Sequence, residues 1–204
     1  MKILAYDTSG ELLTAALAEN GHILCEMENT SKDRHSSVLV PLLEKILKKR
    51  GWKPSQLDVL AVGVGPGSFT GLRVGVMTAK ILGLVWKIKL VGVSSLEALA
   101  RETKTGDGRI AVALDARRGR IYGAAFEKNN GSWTERVAPA LTTPDDFFKR
   151  IGGPVPVSSR PEVRASFIAL AAFEHAKAKR FTAPGKLEPL YLHPKDCNVT
   201  LKKK

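Results

Sequence analysis

The chain has 204 residues, a formal net charge of +12 and a hydrophobic fraction of 44%, which is typical of a globular protein with a substantial core. Its two cysteines, Cys25 and Cys197, fit no metal-binding spacing and indicate free thiols in a reducing compartment. No segment resembles a signal peptide, and Arg73 and Lys80 interrupt the longest apolar run. We therefore expect a cytoplasmic protein without a membrane partner.

The first half predicts three antiparallel strands followed by alternating helices and strands. Asn20-Gly21 is a typical hairpin turn, and the capping box at 94–97 opens a short helix. Pro41 lies inside the first helix, so that helix is expected to begin late or to kink. The predicted strands are 2–7, 12–18, 23–27, 59–64 and 89–93, and the predicted helices are 36–50, 70–86 and 95–103.

A glycine-rich turn at 63–70 joins the fourth strand to the second helix. Gly65 and Gly67 allow positive φ angles and close backbone approach, and Ser68 or Thr70 can cap the helix. A strand, a glycine turn and a helix N-terminus together favour anion binding. The turn nevertheless matches neither the P-loop nor the dinucleotide fingerprint. Phosphate binding and tight strand–helix packing both remain open.

The second helix carries a stripe of small residues. Gly71, Gly75, Ala79 and Gly83 recur every four positions and therefore share one face. Each glycine costs about 1 kcal/mol relative to alanine in a helix interior. We interpret the stripe as a surface that another backbone approaches closely, either in the core or at an interface.

The second half begins as the first does, with a strand, an aspartate, a turn and two further strands. Asp7 and Asn20-Gly21 have counterparts in Asp115 and Asn130-Gly131. A short helix from 143, a short strand at 155–157, a final helix at 162–179 and an extended segment at 187–192 follow. This degenerate duplication predicts an N-terminal lobe at 1–104 and a smaller C-terminal lobe at 105–204.

Duplicated βββαβα halves with an aspartate after the first strand predict the α/β fold of the actin-like ATPase (ASKHA) superfold, with a degenerate and shortened second half. In that fold the first-strand turns of both halves face a nucleotide cleft. At this level of detail the sequence resembles the bacterial TsaB (YeaZ) family. The resemblance lies in segments 3–9, 65–75, 92–96, 114–119 with Tyr122, and 188–192. The segment at 65–75 is the most specific of these.

The resemblance implies a non-catalytic subunit of the machinery that forms threonylcarbamoyladenosine in tRNAs reading ANN codons. It implies a catalytic paralogue, TsaD, and a small ATPase, TsaE, as partners, with tRNA reached through the complex and a homodimer when the chain is alone. The family's heterodimer uses the first two helices of each partner. The interface is therefore predicted at Leu39, Leu42, Leu43, Ile46, Gly71, Arg73, Gly75, Ala79 and Gly83.

No cofactor is expected to bind tightly to this chain, whereas ATP or ADP is expected to be shared at a subunit boundary. The residues predicted to contact it are Asp7, Thr8, Gly65, Gly67 and Ser68. Asp7 and Thr8 have an alternative role, in which the aspartate closes the turn by hydrogen bonds to the backbone.

Neither a metal site nor catalysis is expected. The catalytic paralogue binds metal through His-x3-His on its first helix, but here His35 is followed four positions later by Leu39. His35 alone, without a second histidine as ligand, is not expected to hold a metal ion.

Two other functions are alternatives to the role of a non-catalytic scaffold subunit. One is a stand-alone ATPase or small-molecule kinase of the actin-like fold. The other is direct tRNA binding, because residues 101–204 hold 20 basic and 11 acidic residues. Arg117, Arg118 and Arg120 are its candidates, and Arg120 stands where family members commonly carry glutamate.

Overall fold

The computed structural model describes residues 1–30, 34–103, 106–152, 157–158 and 162–192. Residues 155–156 of the predicted short strand and Cys197 lie outside this part of the chain. The strands are β1 Lys2–Asp7, β2 Leu13–Glu19, β3 His22–Asn29, β4 Val59–Gly63, β5 Lys89–Val93, β6 Gly108–Asp115, β7 Ile121–Asn129, β8 Ser132–Thr142 and β9 Val157–Ser158. The helices are α1 His35–Arg50, α2 Phe69–Trp86, α3 Ser95–Glu102, α4 Pro144–Ile151 and α5 Ala165–Lys177.

Two sheets repeat the same strand arrangement. The first has the order β3-β2-β1-β4-β5, and the second has the order β8-β7-β6-β9. In each sheet the first three strands are antiparallel and the fourth pairs in parallel with the first. The second sheet has no counterpart of β5 among the described residues. This pattern confirms the predicted actin-like duplication and its shortened second half.

The helices and sheets stack in five layers. Helices α1 and α2 cover one face of the first sheet, where alternate β1 residues such as Leu4 and Tyr6 are buried. The other β1 residues, Ile3 and Ala5, share a core with α3, α5 and the inner face of the second sheet. Helix α4 covers the outer face of the second sheet through Phe147 and Ile151. Both faces of each sheet are therefore protected.

Local sequence signals fix several element ends. Gly51 ends α1 in the left-handed conformation at φ 68°, and the side chain of Ser68 caps α2. Helix α1 begins at His35 and continues through Pro41, so the predicted late start is wrong. Arg34 occupies the N-cap position and makes no side-chain cap bond.

Helix α5 belongs to the second half in sequence but packs against β1 and β2 of the first sheet. Its alanine-rich faces fit between the two sheets, where Ala169 and Ala172 are fully buried. The helix begins at Ala165 rather than at residue 162. The two sheets follow the predicted division of the chain, but α5 packs against the sheet of the other half. The division into two separate lobes therefore remains a prediction.

A buried ion network joins α3 to α5. The Arg101 guanidinium bonds the Glu97 carboxylate at 2.8 Å and the Glu174 carboxylate at 2.9 Å, and His175 Nε2 lies 3.2 Å from Glu97. Arg101 also lies over the Trp133 ring of β8, 5.5 Å from its centroid. Burial by itself would raise the pKa of Glu97, but His175 and Arg101 hold that pKa below its ordinary value.

Replacing Glu97 with glutamine is expected to lower the free energy of unfolding by about 1–3 kcal/mol at neutral pH, because Arg101 and His175 lose a charged partner. Because the pKa of Glu97 is lower in the folded state, ionised Glu97 stabilises the fold at pH values above the ordinary glutamate pKa of about 4.3. This stabilisation is lost as the pH falls through the folded-state pKa. Chemical denaturation at several pH values should therefore show the two proteins converging in acid.

The control is Glu44→Gln, which removes only an exposed pair with Lys48 at 3.7 Å. It should change stability by less than about 0.5 kcal/mol. If the free energies of unfolding of Glu97→Gln and the parent differ by the same amount at neutral and acidic pH, this role for the network is contradicted.

Candidate functional site

The turn after β1 is anchored by a buried carboxylate. Asp7 is fully buried and accepts hydrogen bonds from the Ser9 amide at 2.7 Å, the Ser9 hydroxyl at 2.6 Å and the Ser95 hydroxyl at 3.1 Å. A Cβ built on Gly63 would overlap the other side of this carboxylate. Burial raises the pKa of Asp7 against the lowering effect of these hydrogen bonds. Asp7 therefore joins β1, β4 and α3 beneath the turn.

Thr8 and Tyr6 attach the same turn to α2. The Thr8 hydroxyl donates to the Gly71 carbonyl at 2.8 Å, and the Tyr6 hydroxyl donates to the Gly75 carbonyl at 2.8 Å. A Cβ on Gly71 would overlap the Thr8 carbonyl oxygen, and a Cβ on Gly75 would overlap the Thr8 hydroxyl. The small stripe is thus required by this chain's own first turn.

The predicted interface must be corrected on this point. The prediction assumed that another subunit packs against the stripe and against one face of α1, but these residues pack within the chain. Arg73 is the exposed exception. The buried residues are Leu39, Leu42, Leu43, Ile46, Gly71, Gly75, Ala79 and Gly83.

Substituting Gly71 by alanine is expected to destabilise the protein, because the new methyl group meets a backbone oxygen that cannot rotate away. Overpacking of this kind costs about 1–3 kcal/mol, which exceeds the gain of about 1 kcal/mol in helix propensity. Thermal or chemical unfolding measures the loss.

Gly185→Ala is the matched control, because a Cβ at Gly185 meets no atom within 4 Å. A Gly71→Ala variant as stable as the parent would show that the turn does not pack against α2 as described.

A cleft of about 610 Å³ lies between the first-strand turns of the two halves. The Ser68 amide donates to the Ser9 carbonyl at 2.7 Å, so the glycine turn and the first turn form one continuous wall. The opposite wall includes Asp115 and Arg117, and the Arg117 amide donates to the Asp115 carboxylate at 2.7 Å. The cleft is lined by Ser9, Gly10, Glu11, Pro66, Gly67, Ser68, Leu114, Asp115, Ala116, Arg117, Tyr122 and Val163.

The structure separates the predicted nucleotide residues into two groups. Gly67 and Ser68 line the cleft, whereas Asp7, Thr8 and Gly65 are buried beneath it. The side chain of Asp7 makes the hydrogen bonds expected of the turn-closing alternative. Nucleotide binding itself stays a prediction, but Asp7 and Thr8 do not face the cleft in this structure.

The outward face of α2 is apolar, and the predicted interface residues do not include its large side chains. Its large side chains are 53–69% exposed and lie on the side of the helix opposite the glycine stripe, four of them offset from that stripe by two positions. We call this set the outer stripe. It consists of Phe69, Met77, Ile81, Leu84 and Val85.

The length and composition of α2 alone would suit a membrane span. One such helix is weak evidence, because a helix of a folded domain can share these properties. Here its glycine stripe is packed against the first turn, and Gly83 lies against Leu90 of β5. We therefore treat the outer stripe as the exposed face of a domain helix.

Two features extend the outer stripe. At its N-terminal end the Tyr191 ring lies 5.2 Å from the Phe69 ring, and Arg73 donates to the Tyr191 hydroxyl at 3.2 Å. Toward the other end a groove of about 560 Å³ lies between α1 and α2. Trp52 and Trp86 are among the apolar residues that line it. The outer stripe, Tyr191 and this groove together form a long, mainly apolar surface.

The duplicated sheets and the cleft between their first-strand turns define an actin-like fold. The chain matches the family described as "TsaD: tRNA N6-adenosine threonylcarbamoyltransferase" over residues 22–182. It belongs to this family, and its relatives place it among the TsaB (YeaZ) proteins, as the sequence resemblance predicted.

Two curated relatives and one solved structure carry this assignment. The chain is 34% identical to the TsaB protein of Escherichia coli K12 over 74% of its own length and 66% of the relative. It is 38% identical to TsaB of Bacillus subtilis 168 over 68% of its own length and 60% of the relative. YeaZ from Pseudomonas aeruginosa superposes with a TM-score of 0.79 at 25% identity, covering 94% of this chain and 99% of that one. The matches thus span less than two thirds of these two curated relatives.

Proposed function

We propose that this chain is a non-catalytic subunit of the complex that forms threonylcarbamoyladenosine in ANN-reading tRNAs. The relatives from Escherichia coli and Bacillus subtilis are named tRNA threonylcarbamoyladenosine biosynthesis proteins. In this role the chain dimerises with the catalytic paralogue TsaD, and TsaE joins the pair. The chain contributes by holding its partner in an active conformation in the cytoplasm.

The observation that carries this proposal is the outer stripe of α2. Five large apolar side chains on one helix face are half or more exposed, and contiguous exposed apolar surface of this kind is typical of a protein-binding site. The neighbouring α1–α2 groove supplies a concave apolar surface for a partner's side chains. Because the first two helices form this surface, it fits the heterodimer geometry that the family resemblance implies.

Two details support a non-catalytic role. Leu39, which stands where the paralogue has its second metal-binding histidine, is buried in the core of α1 and the first sheet. His35 Nε2 lies 3.1 Å from the Glu11 carbonyl, so a local backbone group is within its hydrogen-bonding reach. These residues contribute to the architecture of the turn and helix.

Ile81→Glu is expected to weaken binding to TsaD at least about 30-fold, because a charge placed at the centre of an apolar interface loses its water. Ile81 is 54% exposed in the free chain, so the substitution should leave folding intact. Calorimetric titration with TsaD gives the affinity, and modification of a tRNA transcript by the reconstituted complex gives the consequence.

Phe148→Glu is the matched control, since Phe148 is similarly exposed, at 52%, but lies on α4. It should leave binding unchanged. If Ile81→Glu binds TsaD as tightly as the parent, the outer stripe is not the interface. The same two variants test self-association of the chain alone by light scattering, and only Ile81→Glu should shift the dimer to monomer.

A stand-alone ATPase or kinase is the second candidate, and the cleft of about 610 Å³ is the observation that favours it. The scaffold proposal expects the isolated chain to release no phosphate from Mg-ATP, because Asp7 is held by Ser9 and Ser95 below the cleft. Phosphate release that requires Ser68 and survives Ile81→Glu would instead favour the ATPase. ATP shared with TsaD at the subunit boundary remains compatible with the scaffold.

A further inference from the structure

The turn between β6 and β7 presents three arginines on four consecutive residues. Arg117, Arg118 and Arg120 are exposed, and none of them forms an ion pair within the part of the chain that the structure describes. By contrast, Arg101, Arg136 and Arg164 each pair with a glutamate. The turn therefore presents positive charge that the fold itself does not use.

The backbone of this turn is ordered and unusual. Arg117, Arg118 and Gly119 have φ angles of 64°, 54° and 71°, all in the left-handed region. The turn is closed by bonds from the Ala116 amide to the Arg120 carbonyl at 2.9 Å and from the Arg120 amide to the Arg117 carbonyl at 3.1 Å. Glycine or asparagine would adopt this conformation more easily than arginine. The turn therefore holds Arg117 and Arg118 in one defined backbone conformation.

The turn lies beside the proposed partner surface. Arg117 and Ser68 line the same cleft, and Ser68 is the residue before Phe69, where the outer stripe begins. A partner on the outer stripe would therefore have the arginine turn near its edge. Glu11 and Asp115 also line this cleft, so their negative charge favours an anion at the exposed arginine tip over one between the cleft walls.

We infer that the turn 117–120 is a contact site for the phosphate backbone of RNA bound by the complex. Three guanidinium groups on a short, ordered turn suit several phosphates in sequence, because arginine binds phosphate bidentately. The contact positions RNA across the subunit boundary, since contacts to phosphate fix register and orientation and carry no sequence information. This inference rests on the proposed function, which supplies tRNA as the RNA.

The test compares two variants that each lose three positive charges. Arg117, Arg118 and Arg120 are replaced by glutamine in one, and Lys177, Lys179 and Arg180 in the other. The second cluster lies at the C-terminal end of α5, next to Phe181. Phe181 lies with Met1 and Asp58 at the opposite end of the first sheet from the cleft. Anisotropy titrations of an unmodified tRNA transcript with the chain–TsaD complex, at several salt concentrations, give affinity and salt dependence.

The arginine variant should bind RNA at least about tenfold more weakly near 0.1 M salt, and its salt slope should fall by about 2–3, one for each lost phosphate contact. Its affinity for TsaD should be unchanged, which separates this inference from the scaffold proposal. The lysine-cluster variant should change RNA affinity by less than about threefold.

Four results would overturn the inference. The first is that the arginine variant binds RNA as tightly as the parent. The second is that both variants lose the same amount of RNA affinity. A loss of TsaD binding in the arginine variant would assign the turn to a protein interface instead. Displacement of the RNA by inorganic phosphate at constant ionic strength would assign the arginines to a small anion, which also contradicts an RNA backbone site.

Discussion

Close packing of the first-strand turn on the glycine face of α2 is the constraint on which the rest of the structure depends. Thr8 and Tyr6 donate hydrogen bonds to helix carbonyls that only a residue without a side chain leaves accessible. The turn thereby fixes the rotation of α2 about its own axis. With Gly71 and Gly75 facing inward, residues two positions away face solvent. One buried contact thus determines which apolar side chains of α2 are exposed.

A second set of buried contacts keeps the Asp7 carboxylate out of the cleft. Asp7, the acidic residue that the fold places after its first strand, is enclosed by Ser9, Ser95 and Gly63 and serves as a buried anchor. The cleft walls consist instead of residues 9–11, the glycine turn and the Asp115 turn. Helices α3 and α5 fill the space between the sheets, so the two halves share one core. These features suit a subunit whose architecture positions another protein.

Much of the fold could be predicted because local signals and periodicity agreed. The hairpin at Asn20-Gly21, the cap at Ser68 and the small stripe of α2 all appear where the sequence placed them. Periodicity shows which residues share a face but not what covers that face, so the stripe was assigned to a second subunit. The place of α5 on the first sheet also escaped prediction, because its alanines suit any closely packed surface.

The most direct measurement of the central claim is the alkylation rate of a cysteine placed on the outer stripe. Ile81→Cys, in a background with Cys25 and Cys197 replaced by serine, should react rapidly in dilute free chain and become protected when TsaD is added. Phe148→Cys should react rapidly in both states, because α4 lies away from the proposed interface. An Ile81→Cys rate that TsaD leaves unchanged, under conditions where the complex forms, would contradict the proposed arrangement.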